Sequence, residues 1–540
     1  MHNADTRRRM PVQATGLWVC LGLFLLLECF AVSCRKEPTD FETGRNPLRF
    51  SADTVCFDTV LSTLNVPVKR FMIYNPGKKP VKIERIYIRP GESGYGAESF
   101  RFTVNGDTSM QIRDLVIGAH DSIFAFVRSG VRLSGQNQPF IVDAYFQCDI
   151  AESKSSQSVY LCAYGQDAHY WHPDRVYARP YPSVEQPGVI DTQYIPYFIW
   201  SPDSGITDEK PYAIFGYLTV PEGVTLKIPA GARLHFGTNA GIWVQKGGRL
   251  LVEGTLDRPV RFSGLRLDTT YRNEPGQWGH IWLDAESGAH SIQYAVIQNG
   301  SNGIWLDSST TSTVHNRGLV IENTVITNMT NYGLLAYRNA IEGTNLVIGH
   351  CDKAVSLRRG GSHKFVHCTF HSSSYNGYSL EMLDEKQNGA TLDFSNCSFI
   401  NDIFYGSSSD QLYLDIQDEQ NAPSIFDHCL IRQRNTLNIG DLDKFSACAL
   451  NLDPKFHDIR YNRTDFRIAD TTSGAYRKGL PAAVSGRAAN DITGFVRPDI
   501  PTLGAYEYQP IDTDKSSAGR ALSGFARNDQ LNGMPRPLLQ

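Results

Sequence analysis

The sequence has no excess of basic charge. Lys and Arg number 52 against 56 Asp and Glu, a formal net charge of -4, so the electrostatic footprint of a nucleic-acid partner is missing. No long helical pattern appears beyond the N-terminal apolar stretch. No CxxC pair, Ser-His-Asp elbow, P-loop or HExxH motif occurs, which removes the common signatures of zinc, nucleotide and hydrolase sites. Neither a metal nor a cofactor is expected. A Cys…Trp…Cys core of antibody type is also missing. Gly is plentiful at 46 residues and aromatics make up 11%, so the remaining class is nearly all β.

The membrane-length apolar run lies at the start. Arg7-Arg8-Arg9 precedes an apolar stretch from Gly16 to Val32, which ends in Ala31-Val32-Ser33-Cys34. This resembles a secretory signal with a lipoprotein processing box. An uncleaved anchor is the competing reading, but the run is short against the ~20 residues a spanning helix needs. The resemblance implies that residues 1–33 are removed, that Cys34 is the lipidation site, and that its acyl chains hold the protein in a membrane. Residues 34–47 then form a tether. Its start, Arg35-Lys36-Glu37-Pro38-Thr39-Asp40, resembles the short charged signals that send some Bacteroidota lipoproteins to the cell surface. A plain solvated tether is the competing reading, so the expected location is the outer membrane, lipid-anchored, on either the periplasmic or the cell-surface side.

The stretch from Ser291 to Arg432 repeats. Tyr294-Ala295-Val296-Ile297, Asn323-Thr324-Val325-Ile326, Asn345-Leu346-Val347-Ile348, His367-Cys368-Thr369-Phe370, Asn396-Cys397-Ser398-Phe399 and His428-Cys429-Leu430-Ile431 share one pattern. Each has a polar lead, then alternates with a strand's period of two. Their last residues are spaced 29, 22, 22, 29 and 32 apart. Second strands follow the first four: Gly303-Ile304-Trp305-Leu306, Gly333-Leu334-Leu335-Ala336, Ala354-Val355-Ser356-Leu357 and Gly377-Tyr378-Ser379-Leu380. One coil cannot bury its apolar side alone, so stacked coils must share a core. The expected fold is a parallel β-helix, with Ile348 and Phe370 buried in consecutive coils.

Before it, residues 48–168 hold about seven strand-like runs broken by Asn75-Pro76-Gly77, Pro90-Gly91 and Asn105-Gly106, which suggests an immunoglobulin-like β-sandwich. The phrase from Phe71 to Ile83 is similar to the "ordinary neighbour" pattern of bacterial Ig-like domains. Residues 169–210 form a Pro- and Tyr-rich connector expected to cap the N-terminal end of the helix, since open strand edges need covering. Residues 211–508 form the β-helix with a C-terminal cap, and residues 509–540 a disordered tail. The runs Tyr217–Phe236, Gly241–Val244 and Gly276-Gln277-Trp278-Gly279-His280-Ile281-Trp282 resemble the opening coils of right-handed parallel β-helix proteins. They resemble in particular those of a Bacteroidota family of β-helix lipoproteins. Leu452–Phe456, Asp465–Ile468, Asp491–Arg497 and Leu503–Tyr508 resemble that family's terminal segment. The resemblance implies an all-β chain, a right-handed parallel β-helix preceded by an Ig-like sandwich, and no assigned chemistry.

Of eleven cysteines, Cys368, Cys397 and Cys429 share a repeat column and are read as inward apolar fillers. Their neighbours His367 and His428 are read as outward-facing. Cys148 and Cys162 lie on two strands expected to pair, where a bridge is an open alternative. The acids Asp284, Asp307, Asp393, Asp402 and Asp415 and the pair Arg358-Arg359 are the candidates for catalysis, but no two of them are expected to stack on adjacent coils; the acids are read as turn formers and Arg358-Arg359 as a charged corner. Trp243, Trp282 and Trp305 occupy one place in Ile-Trp-Val, Ile-Trp-Leu and Ile-Trp-Leu, so all three should face outward. They are the candidate ligand-binding residues, for a glycan or an envelope protein; the competing reading is that another part of the chain covers them. The sequence thus points to a non-enzymatic envelope scaffold, with a carbohydrate-active lyase or hydrolase, or an accessory subunit of an outer-membrane assembly, as alternatives.

Overall fold

A computed structural model describes residues 40–64, 68–93, 97–137, 139–182, 190–268, 271–307, 318–384, 394, 396–416, 424–434, 444–460 and 465–510. Cys34, Asp393 and most of the expected tail lie outside the described residues. Regular structure among the described residues is strand, with four short 3-10 turns. The chain divides into two compact units. One comprises the chain to Cys56 with Pro67–Ser129 and Asp143–Cys162, the other Phe57–Val66, Gly130–Val142 and the chain from Ala163 onward.

The first unit rests on two antiparallel sheets. One orders the strands Arg49–Phe50, Lys69–Tyr74, Ser122–Ser129 and Phe100–Val104; the other orders Thr54–Leu61, Ser155–Gln166, Phe140–Ile150, Val81–Pro90 and Gln111–Ile117. Phe71 and Phe102 of the first sheet meet Phe146 of the second edge-on, at 5.1 and 5.4 Å between ring centroids, a favoured aromatic geometry. The Asn75-Pro76-Gly77 break is the crossover between sheets. Asn75 is buried, and its amide donates to the carbonyls of Lys79 and Gly118, each at 2.8 Å. The bridge left open between Cys148 and Cys162 is not the one that forms. Cys162 bonds Cys56, with Cα atoms 4.6 Å apart. Strand Ser155–Gln166 lies between two neighbours in its sheet, and Cys162 bridges to the Thr54–Leu61 side. Cys148 stays a buried thiol opposite Ile86.

The second unit is a right-handed parallel β-helix. Parallel pairing begins at His169, opposite Tyr212, ahead of the expected start. One wall of the coil aligns Ile297, Ile326, Ile348, Phe370, Phe404 and Ile431. Ile348 and Phe370 are fully buried in adjacent coils. The polar lead residue of each anchor has a conformational reason. Tyr294, Asn323, Asn345, His367, Asn401 and His428 all have φ between 46° and 59°. That left-handed corner favours Asn among residues with a Cβ. The corner side chains stack, with Asn345 donating to Asn323 Oδ1 at 2.9 Å. The two 22-residue intervals correspond to Val325–Thr344 and Val347–Val366, continuous strands that pass through all three walls without an insertion.

Two repeat assignments need correction. The fifth anchor is Asn401-Asp402-Ile403-Phe404, because Phe370 pairs Phe404. Asn396-Cys397-Ser398-Phe399 lies on another wall, where Phe365, Phe399, Phe426 and Phe445 stack at 4.7–5.6 Å. Cys397 therefore leaves the column of Cys368 and Cys429, though all three are buried. The fourth second strand is Leu380–Leu383, with Leu380 opposite Val355, two residues later than expected.

The connector does two things. Trp171, Phe198, Trp200 and Ile206 join the N-terminal end of the interior core. The strands Arg175–Pro182 and Ile190–Ile199 pair antiparallel and carry residues packed outside the coil. The C-terminal segment likewise lies along a wall. Phe466, Ile492, Ala505 and Tyr506 pack on Val325 and Val347, while Ile468, Ala475 and Leu503 pack on Ile403 and Leu430. His367, expected outward, is fully buried at its corner, its ring 2.9 Å from Asn401 Nδ2.

Candidate functional site

One outer wall concentrates the polar and aromatic side chains. Its middle column reads Thr219, Trp243, Trp282, Trp305, Leu335, Ser356, Glu381 and Tyr413, one residue per coil. The inward neighbours Ile242, Ile281 and Ile304 belong to the interior core, while Trp243 and Trp282 form a separate cluster outside it. The alternation thus places the indoles outward. Trp243 pairs Trp282 directly, with no coil between them, so the 39-residue interval holds an insertion rather than an extra coil.

The chain's own strand pair covers most of this stripe. Trp243 and Trp282 stack at 4.9 Å and 8°, and are only 5% and 4% exposed. Tyr177 and Tyr197 sit 5.1 and 5.8 Å from the Trp243 ring. The Arg179 guanidinium lies 4.6 Å from Trp282 and 5.4 Å from Trp305. Trp243 and Trp282 therefore face the strands Arg175–Pro182 and Ile190–Ile199 rather than an open surface. Trp305 is partly buried at the edge of the cover, 6.4 Å from Tyr337. Between these indoles lies His280; burial first, then the charge of Arg179, pushes it down to about 3, so the imidazole is neutral.

Beyond the cover the wall becomes a polar ledge. Glu381 receives Lys353 Nζ at 2.6 Å, the Ser356 hydroxyl at 2.6 Å and Arg358 Nη2 at 3.1 Å. Burial raises its carboxyl, but the bonds from Lys353 and Ser356 with the charges of Lys353 and Arg358 outweigh this and hold it below the usual range. Arg358 also donates to Tyr332 Oη at 3.0 Å and lies 5.8 Å from the Tyr337 ring. Tyr413, 41% exposed, stacks on Tyr378 at 5.1 Å. Arg358-Arg359 is thus more than a charged corner: Arg358 is the hub of this network.

Two candidate acids come together, against expectation. Asp284 and Asp307 follow the paired Leu283 and Leu306 on adjacent coils. Burial, then the neighbouring Asp307 charge, raises the Asp284 carboxyl, against the Ala285 N–H, the Trp243 indole and Arg179. Trp243 Nε1 lies 3.4 Å from its carboxylate. Asp402 is placed apart, inside the coil, where burial raises it well above its usual value and Cys368 N–H donates to it at 2.6 Å. Among the described residues no group of three or more His, Cys, Asp or Glu is placed to hold a metal ion. The sequence reading missed Tyr332, Tyr337, Lys353, Tyr378, Glu381 and Tyr413. The shared motifs Ile281-Trp282-Leu283-Asp284 and Ile304-Trp305-Leu306-Asp307 held the signal for the stacked acids.

Fold and wall together define a right-handed β-helix protein with a partly covered aromatic stripe and an open tyrosine–arginine ledge. Residues 279–437 match the family described as right handed beta helix region. No curated protein matches the chain. Among solved structures it is similar to the catalytic unit of a thermostable GH87 alpha-1,3-glucanase from Streptomyces thermodiastaticus strain HF3-3. That alignment has 12% identity over 67% of this chain and 73% of that one, with a TM-score of 0.28. A protein of unknown function from Porphyromonas gingivalis W83 aligns at 11% identity over 28% of this chain and 66% of that one, TM-score 0.17. The ASH / PapD-like domain of human CEP192 aligns at 12% identity over 26% of this chain and 97% of that one, TM-score 0.17. Alignments this loose carry no functional argument.

Proposed function

We propose that this is a non-enzymatic envelope lipoprotein, anchored in the outer membrane through Cys34, whose β-helix is a binding scaffold for a glycan or an envelope protein. In this reading the two-sheet unit is an Ig-like spacer. The carrying observation is the ledge: Tyr332, Tyr337, Tyr378 and Tyr413 set around the Lys353–Glu381–Arg358 network on consecutive coils. Tyr and Arg dominate the energetics of contact surfaces, and groups already fixed by one another lose little freedom on binding. Glu381, held ionised by two cations, is a poor proton donor, which favours binding over catalysis there.

A glycan and envelope-protein binding screen of the mature chain tests this. Tyr413→Ala should weaken binding about tenfold or more, about 1.4 kcal/mol, with the protein still folded, since the ring lies at the surface and outside the core. Absence of any ligand, or a neutral Tyr413→Ala, contradicts the proposal. The anchor is tested separately: a clickable fatty acid should label the wild type and fail to label Cys34→Ala. The stacked Asp284 and Asp307 favour a second reading, glycoside hydrolysis, which needs two carboxyl groups near one another. Oligosaccharide release that Asp307→Asn abolishes would move the conclusion to that reading.

A further inference from the structure

Among the described residues, six cysteines outside the Cys56–Cys162 bridge are thiols: Cys148, Cys351, Cys368, Cys397, Cys429 and Cys448. The coil register sorts them. Leu430 pairs Ala449, so Cys429 and Cys448 are opposite one another on adjacent parallel strands. Both point inward with the same conformation: Cys429 Sγ lies 3.3 Å from Phe399 O, and Cys448 Sγ lies 3.3 Å from Phe426 O one coil on. Adjacent strands lie ~4.8 Å apart, inside the range of Cα separations that a disulfide spans.

The other thiols have no such neighbour. Leu430 pairs Ile403, which pairs Thr369, so Asp402 stands between Cys368 and Cys429 and leaves them two coils apart. Cys351 is opposite Met329 and Ser372, Cys397 opposite Ser424, and Cys148 opposite Ile86. Cys448 is also reachable, being only partly buried on the terminal coil.

We propose that Cys429 and Cys448 form a second disulfide, a covalent staple that fastens the last coil of the helix to the one before it. The Cys56–Cys162 bridge already places the chain where disulfides form. The oxidant is the disulfide form of a thiol–disulfide exchange catalyst, or of glutathione. The Cys448 thiolate attacks one of its sulfurs, forming a mixed disulfide and expelling the other sulfur as a thiolate. Cys429 Sγ then attacks Cys448 Sγ and releases the second oxidant sulfur. The two protons of the cysteine thiols end on the two oxidant sulfurs, and the two electrons reduce that disulfide to two thiols. The approach order follows access: Cys448 is the more exposed of the two.

The staple has a structural purpose. The terminal coil is held by the strands Phe445–Ser446 and Ala449–Leu450, two residues each. A repeat at the end of a stack has a neighbour on one side only and frays first.

Peptide mapping of the folded, full-length protein after treatment with oxidised glutathione tests the proposal. The expected result is a Cys429–Cys448 linked pair, lighter by two hydrogens than the two free peptides, with Cys148, Cys351, Cys368 and Cys397 alkylated as thiols. Hydrogen exchange over 444–450 should then be slower than in Cys448→Ser by about tenfold, the rest of the helix being unchanged. Cys429 and Cys448 both recovered as alkylated thiols would overturn the proposal, and so would a Cys368–Cys429 link.

Discussion

Phe370→Ala should destabilise the protein by about 3–5 kcal/mol, the range for removing a fully buried phenylalanine. The ring is enclosed by Phe365 and Phe404, each 5.4 Å away, and stacks over Ile348 of the preceding coil. Because coils share their core, the loss should spread to both sides of the site. Denaturant unfolding measures the free energy, and hydrogen exchange maps its spread. An unfolding curve matching the wild type would contradict the aligned wall from Ile297 to Ile431.

Arg497→Met should cost a similar amount, about 3–5 kcal/mol, as expected when one partner of a buried ion pair is removed. The Arg497 side chain is fully buried and faces Glu507, itself 3% exposed, at 3.4 Å. Arg497 also donates to Asn345 Oδ1 at 2.9 Å and to the carbonyls of Gly504 and Ala505. It therefore joins the C-terminal segment to a corner of the third repeat. The variant leaves Glu507 charged without its partner, although the Thr502 N–H still donates to it at 2.9 Å. Arg497→Met with Glu507→Gln should regain a large part of the loss. Thermal melts of the two single variants and the double variant test this; equal stability of Arg497→Met and wild type would contradict the buried pairing.

The helix was legible because its corners impose a rule on sequence. A left-handed residue leads each anchor, and Asn323 and Asn345 signal it directly. The fifth anchor was hidden because its first inward position is Asp402, a buried acid where the pattern calls for an apolar residue. Asn396-Cys397-Ser398-Phe399 imitates the pattern on another wall. The outward tryptophans followed from alternation alone. Their cover did not, since Arg179 and Trp282 are far apart in sequence and no local period links a strand pair to the wall it packs on. The tyrosine ledge was hidden for a related reason: Tyr332, Tyr337, Tyr378 and Tyr413 come together only once each coil is in register, and the Leu380 strand had been placed two residues early. The Cys162 partner depended on which neighbour in the sheet it faces, a choice that spacing does not make.

The strands Arg175–Pro182 and Ile190–Ile199 cover Trp243 and Trp282, which leaves the tyrosine ledge as the proposed binding face. Hydroxyl-radical footprinting of the folded protein, read residue by residue by mass spectrometry, tests this directly. Tyr194 and Tyr413, 71% and 41% exposed, should oxidise readily, Trp305 to an intermediate degree, and Trp243 and Trp282 hardly at all. Oxidation of Trp243 and Trp282 as fast as Tyr194 would contradict the cover and return the binding face to the indoles.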